Sequence, residues 1–333
     1  HGTYVKGIAE KYAERVGGTH KVFTRFRQDV AETNRLSSQG PNLQNQPTKP
    51  DPDDPHPIPL ALNTKRQFVS RFDGGWIMEA DLSQAEIRVA ADESGDWKME
   101  AAITGGQDVH TAMAATFLNK SVEDITKLER HRCKRLTFLT LYGGGANTLS
   151  RQLDIYKEDA KRLLHDYFTT FTELDAYIKR VKLTVKRDLY VESSFGFRRR
   201  FRKPPNWNSW DGWRIERQAW NHIVQNTAAC VLYCALVKLH ENMQAAGLRS
   251  KIIITVHDSI VLDVHPDEVE LVASLVKDAM EHPNTERYGV TLNIPMVADV
   301  EIGRTWGDKV TLDQWRQDNY GTESTDVQGE HRS

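Results

Sequence analysis

Arg130, Lys134, Phe138 and Tyr142 recur at every fourth residue of one segment. On an α-helix each step of four advances about 400°, so the four side chains would form one slowly drifting stripe about 18 Å long. A stripe used only for packing would be apolar throughout. This one puts two cations on its first turns, suited to phosphate oxygens, and two aromatic rings on its last, suited to stacking on a base or sugar. Phe138 and Tyr142 alone fit a helix core equally well, but that reading leaves Arg130 and Lys134 unexplained. Two aspartates in distant segments add a second chemistry. Asp81 lies in Glu79-Ala-Asp-Leu-Ser-Gln-Ala-Glu86, where strand-like sequence meets helix-like sequence and a carboxylate would be presented from a rigid scaffold. Asp258 follows His257 between two apolar runs. Asp is an ordinary turn residue there, yet a His-Asp pair in such surroundings needs solvent, a metal or a polar partner. Brought together, the two carboxylates would make the acidic pair of a two-metal phosphoryl-transfer site. Glu86 has a plainer reading, because Ser83-x-x-Glu86 is a capping box with Glu86 at N3. His110, taken alone, reads as an ordinary helix histidine.

These residues need elements to hold them. Ile77–Ala80 reads as a short strand running into a helix that starts near Ser83. A helix over 122–142 is stopped by Gly143-Gly144-Gly145. Residues 158–188 read as a second long helix, dense in charge, and 214–241 as a more apolar one. Ile252–Val256 and Ile260–Val264 read as a hairpin joined by His257-Asp258-Ser259. Pro47–Pro59 holds six of the twelve prolines and reads as a stiff exposed loop. Gln317–Ser333 is polar and reads as a loosely held tail. Helices mixed with a hairpin-containing sheet predict an α+β fold. At 333 residues, two or three lobes are expected. A hydrophobic content of 39% and charged content of 27% indicate a globular core and exclude general disorder. No run of eighteen apolar residues predicts a membrane span. Three cysteines argue against a disulfide scaffold and fit a reducing compartment. The net charge of -2 hides an uneven distribution, for Lys127–Lys203 carries 19 Lys and Arg against 9 Asp and Glu. A cationic middle between acidic flanks suits a polyanion and divalent cations, and equally suits a solvated helix surface.

At these residues the chain resembles the polymerase domain of family A DNA polymerases, the bacterial DNA polymerase I type. Asp81-Leu-Ser-Gln-Ala-Glu-Ile-Arg88 resembles the first catalytic motif of the family, and Val256-His-Asp258 its second. Arg130–Gly143 is similar to its fingers-helix motif. Arg35–Asn45, Ser194–Arg200 and Arg217-x3-Asn221-x3-Gln225 also match, and all six stand in family order. The resemblance implies a right-hand fold with an antiparallel palm sheet and helical fingers. The palm would take residues 1–100 and 204–316, the fingers 101–203, and 317–333 would remain a tail. It implies DNA-templated synthesis, with Asp81, Asp258 and the Leu82 carbonyl binding two Mg²⁺. Lys134, Arg130 and His110 would grip the dNTP triphosphate, and Gln84 would also lie in the nucleotide site. Phe138 would pack on the sugar, Tyr142 beside the templating base, and Glu86 would be a steric gate against a ribose 2′-hydroxyl. Arg35, Asn42, Gln44, Asn45, Arg217, Asn221, Gln225 and His257 would touch primer-template DNA. Donors suit its minor groove, where every correct base pair offers acceptors. Arg198, Arg199, Arg200, Arg202 and Lys203 would add phosphate contacts.

The sequence departs from the family pattern at three places. Ser259 stands where an acidic residue usually follows the second aspartate, and Asn226 and Leu139 stand where glycine is usual. The proline-rich segment reads as an insertion. A thumb, and often an exonuclease, would precede residue 1, supplied either by a longer chain or by a second polypeptide. Two other functions remain open at this level: a single-subunit RNA polymerase, against which Glu86 and Phe138 argue, and a non-catalytic DNA-binding subunit, against which the retained acidic and basic residues argue. The resemblance implies a cytoplasmic location with no membrane partner.

Overall fold

The computed structural model describes residues 8, 13–16, 19–46 and 63–321. The proline-rich loop at 47–59 and residues 322–333 of the expected tail lie outside the described residues. In chain order the strands and helices begin with β1 (Ala13–Val16), β2 (Thr19–Val22), β3 (Arg25–Arg27), β4 (Ser37–Gln39), β5 (Trp76–Leu82) and α1 (Ala85–Ser94). A helical run follows: α2 (Trp97–Thr104), α3 (Val109–Leu118), α4 (Lys127–Leu141), α5 (Ala146–Leu153), α6 (Lys157–Thr170) and α7 (Thr172–Asp188). Next come β6 (Tyr190–Glu192), β7 (Arg198–Arg200), α8 (Trp210–Ala245), β8 (Lys251–Val256) and β9 (Ser259–Val264). The chain continues with α9 (Val269–Glu281), β10 (Ala298–Thr305), β11 (Asp308–Thr311) and α10 (Leu312–Tyr320).

The site-bearing layer is a five-stranded sheet in the order β11-β10-β5-β9-β8. Every pairing in it is antiparallel. The α+β expectation therefore holds. Alternation along β5 decides which residues face the site, since successive side chains point to opposite faces. Met78, Ala80 and Leu82 are buried on the face covered by α9. There they join Val272, Val276, Ala279 and Met280 in the main core, each of the larger ones contributing about 1.5–3 kcal/mol. Glu79 and Asp81 consequently point to the opposite face, where a smaller core of Ile77, Ile254, Val261 and Trp306 covers part of the sheet and leaves Asp81 exposed. α8 is long and apolar enough to cross a membrane by length and composition, but 72% of its apolar window is buried inside the protein. It is a core helix, with Ala219, Trp220, Ile223, Val231 and Leu239 packed against neighbours.

Several element boundaries differ from those read in the sequence. The expected helix over 122–142 is a short 3-10 turn at Val122–Asp124 followed by α4, because Thr126 and Glu129 form a reciprocal capping box that starts the helix there. Residues 158–188 are two helices broken at Phe171, whose side chain is fully buried against Tyr167 at 4.7 Å between ring centroids. The helix expected over 214–241 is longer at both ends, since Ser209 caps it at Gly212. Residues 317–320 are not tail but the last turn of α10, anchored by buried Trp315. The capping box expected at Ser83 is absent. Gln84 adopts a left-handed conformation with φ of 49° and occupies the N-cap without a side-chain bond, so Glu86 is freed from the helix start.

Candidate active site

The site is built where β5 meets the β8–β9 turn. β5 delivers Asp81 at its open end, opposite Ser259 on β9 and Asp299 on β10. The turn delivers Asp258, and its strands are joined by only two residues, with His257 left-handed at φ of 54°. The backbone N–H of Leu82 donates to the Asp258 carbonyl at 3.1 Å, which ties the two motifs together. The structure thus brings Asp81, Leu82 and Asp258 into one corner. Burial, then the charges of Asp258, Glu79 and Asp299, push the Asp81 carboxyl up to about 6. Among the described residues no group of three His, Cys, Asp or Glu side chains is arranged to hold a metal. Two crowded carboxylates and a carbonyl nevertheless fit hard divalent cations whose other ligands are substrate phosphates and water.

Behind Asp81, Glu79 is held by Lys309 and by Trp306 Nε1 at 3.1 Å, and Lys309 also reaches Glu301 at 2.8 Å. Ser259 donates its hydroxyl to Glu79 at 3.0 Å. Burial opposes the charge of Glu79, but Lys309, Lys65 and the Ser259 hydroxyl together outweigh it and keep the carboxyl below its usual range. Where the family usually has an acid after the second aspartate, this chain has a hydroxyl bonded to an acid on the adjacent strand. Sequence reading missed Glu79 and Lys309, although the Glu79-x-Asp81 spacing places both acids on one strand face.

Glu86 is buried, and Arg35 donates both to it at 2.7 Å and to Asp258 at 3.2 Å. Arg35 is positioned by Tyr233 of α8, whose hydroxyl accepts from Leu36 N at 2.7 Å and donates to Asn34 O at 3.0 Å. Burial and the neighbouring Glu86 charge push the Tyr142 hydroxyl up, placing this ring beside Glu86.

The four-residue stripe forms on α4 as its spacing predicts, with Arg130, Lys134 and Phe138 half-buried and Tyr142 exposed at the helix end. Phe138 and Tyr142 stack at 6.3 Å and 14°. Lys134 Nζ lies 6.0 Å from the Phe138 ring. Arg130 makes two bonds to Asp108, at 2.7 and 2.8 Å, and Asp108 also caps α3 through Thr111 N at 2.8 Å. The Arg130 bonds hold Asp108 well below the carboxylate range. His110 is buried beside Phe138, with ring centroids 5.8 Å apart. Burial, then Lys134, lower it to about 4, so it is neutral at pH 7.

Asn42 and Asn45 are exposed. Gln44 is engaged within the protein, accepting from Ser38 N at 2.9 Å and donating to Thr255 O at 3.1 Å. Arg217, Asn221 and Gln225 are half-buried between buried neighbours on α8, one stripe as the spacing requires. Arg217 lies against Gly143, where a Cβ would sit 2.7 Å from its Cγ. Asn221, with its amide nitrogen turned inward, donates to Leu141 O at 2.8 Å and fastens α8 to the end of α4. Arg198 and Arg199 are paired with Glu192 and Glu32. The other two departures are structural. Fully buried Asn226 donates to Thr33 O at 3.0 Å and accepts from Ser193, while Leu139 fills the space beside Gly144.

Comparison with known proteins extends this geometry. The profile of DNA polymerase family A matches residues 1–308. The thermostable DNA polymerase I of Thermus aquaticus is 34% identical over 313 residues, covering 91% of this chain and 34% of that protein. DNA polymerase I of Lactococcus lactis subsp. lactis is 32% identical over 309 residues, covering 91% and 33%. The chain spans about a third of the length of these curated relatives. The polymerase domain of Pol1 from M. smegmatis, solved with DNA primer-template and dNTP, superposes with a TM-score of 0.80 at 30% identity, covering 91% of this chain and 50% of that one.

Proposed function

The chain belongs to DNA polymerase family A, and on that footing we propose that it extends a DNA primer on a DNA template from dNTPs, releasing pyrophosphate. The observation that carries the reading is the corner where Asp81 and Asp258 meet, tied through Leu82 N. Asp81, Asp258 and the Leu82 carbonyl would hold two Mg²⁺. When bound, such ions lower the pKa of the primer 3′-hydroxyl and neutralise charge on the leaving pyrophosphate. The 3′-oxygen bonds to the α-phosphorus as the bond to pyrophosphate breaks.

The chain's own residues orient the reactants. Lys134 and Arg130 bind the triphosphate, with Asp108 presenting the Arg130 guanidinium in a fixed geometry. Neutral His110 is a hydrogen-bonding group beside them, and Gln84 shapes the turn after Asp81. Phe138 packs on the sugar, and Tyr142 sits beside the templating base. Glu86, its carboxylate directed by Arg35, excludes the 2′-hydroxyl. Asn42, Asn45, Arg217, Asn221, Gln225 and His257 meet the duplex, while Gln44 shapes the loop that carries two of them. Of the described residues, those up to 100 and those of 204–316 make up the palm and 101–203 the fingers, with a cytoplasmic location.

Primer extension with Mg²⁺ and either dNTPs or NTPs tests this. Extension by dNTPs is expected, abolished by Asp258→Asn, with ribonucleotide use rising in Glu86→Ala. Unchanged product yield in Asp258→Asn overturns the reading. Adding a polypeptide that carries a thumb and exonuclease would reveal, through longer products, whether such a partner is used.

A further inference from the structure

α8 opens with aromatic side chains directed into solvent. Trp210 is 65% exposed and Trp213 56%, which is unusual because tryptophan normally hides most of its surface. Trp213 stands four residues before Arg217, and Trp210 seven, so both lie with Arg217 in an arc of about 60° and extend the Arg217-Asn221-Gln225 stripe, about 120° wide in all. The start of the helix that carries both rings is fixed. Ser209 caps the helix at Gly212 N, and the Ser209 hydroxyl also donates to Asn206 O at 2.5 Å. Arg214 lies over the Trp210 ring at 5.3 Å and pairs with Asp211 at 3.1 Å, and most of the Trp210 side chain stays exposed.

The segment before α8 is cationic, while Asp211 and Glu216 within the helix are each paired with a cation. The segment leading to α8 carries Arg200, Arg202 and Lys203, exposed and without an ion-pair partner among the described residues. Exposed rings flanked by unpaired cations match a polyanion with flat faces to stack, as in sites that hold single strands by base stacking.

Position along α8 selects which strand. Arg217 packs against Gly143, next to Tyr142, which the proposed function sets beside the templating base. Asn221 and Gln225 lie on one side of that junction, and Trp213 and Trp210 on the other. If duplex occupies the first side, the strand on the second side has not yet been copied. We infer that Trp210 and Trp213 form a stacking platform for unpaired template bases ahead of the primer terminus, with Arg200, Arg202, Lys203 and Arg214 contacting the phosphates. This rests on the polymerase reading above for the identity of the strand.

The test is fluorescence anisotropy with two labelled primer-templates, one with a single-nucleotide 5′ overhang and one with about ten unpaired nucleotides. The wild-type chain should bind the long overhang more tightly than the short one. Trp210→Ala/Trp213→Ala should lose roughly fivefold or more of that preference, the scale of one lost base stack. Trp213→Phe should restore most of it, and the loss should persist at raised salt because stacking releases few counterions. Equal preference in the wild type and the double variant overturns the platform, as it would if these rings served a protein partner instead. Failure of Phe to restore binding overturns it too. Absence of primer extension by the wild-type chain would count against the polymerase reading alone, since the overhang preference is read from binding.

Discussion

Asp81 is ionised at neutral pH against the combined opposition of its surroundings and three neighbouring carboxylates. Its folded-state carboxyl lies at about 6, above the ordinary 3.8, so the folded chain binds a proton more tightly than the unfolded one. The sign follows directly. Metal-free stability should fall as pH rises from about 4 to about 6, then stay level where both states are ionised. Asp81 keeps contact with solvent, so the effect is on the order of 1 kcal/mol rather than the full shift. Asp81→Asn should therefore abolish primer extension and yet raise the metal-free Tm at pH 7, with the difference vanishing near pH 4. Thermal melts of both proteins across pH 4–7 check this, and equal melting temperatures at pH 7 would refute the crowding argument. Mg²⁺ should raise the wild-type Tm more than that of the variant, because the cation relieves the repulsion that asparagine has already removed.

Elements set how these residues meet, and the turn after α4 is the most demanding of them. Gly143 has φ of 65° and no Cβ to push Arg217 away. Alanine there would combine a left-handed backbone with a 2.7 Å contact, so Gly143→Ala should cost about 1–2 kcal/mol in urea unfolding and weaken primer-template binding as Arg217 shifts. Unchanged stability and binding would mean that the two helices are not registered through this turn. The glycine run was legible in the sequence as a helix stop, and so were both stripes, because a step of four maps onto one face of any helix. The hairpin at His257-Asp258 was legible for the same kind of reason, two β-rich runs too close together for any other connection. What was not legible depended on partners far away in the chain. Asp108 meets Arg130 only because α3 and α4 pack side by side, and Lys309 reaches Glu79 only because β10 and β11 fold back on β5. Ser83-x-x-Glu86 misled because a local motif competes with a strand that continues to Leu82, leaving Gln84 rather than Ser83 to start the helix. Phe171 gave no break signal because an aromatic in an apolar rhythm looks helical; its burial against Tyr167 is a tertiary effect.

At the scale of the molecule, charge and topology act together. The surplus of cations read in Lys127–Lys203 falls on α4–α7 and the β6–β7 hairpin, while the acids Glu79, Asp81, Asp299 and Glu301 gather on the sheet. Such a separation of charge suits a polyanion on one side and cations on the other, although the net charge is only -2. The sheet's strand order has a consequence for how the chain is made. β5 lies at the centre, hydrogen-bonded to β9 on one edge and β10 on the other. As the nascent chain leaves the ribosome, β5 emerges before all of α1–α8, has no neighbour to pair with until β9 has been synthesised, and keeps one edge open until β10 follows. Helices such as α2–α4 and α5–α6 contact neighbours nearby in sequence, and such local contacts form fastest, whereas the sheet must close long loops first. On dilution from denaturant, far-UV helical signal should return before primer extension does. Simultaneous recovery of the two would show that the helices, too, wait for the sheet. Until β9 arrives, β5 is a strand with two open edges, and the newly made protein is most exposed to aggregation at the place where it will later do its chemistry.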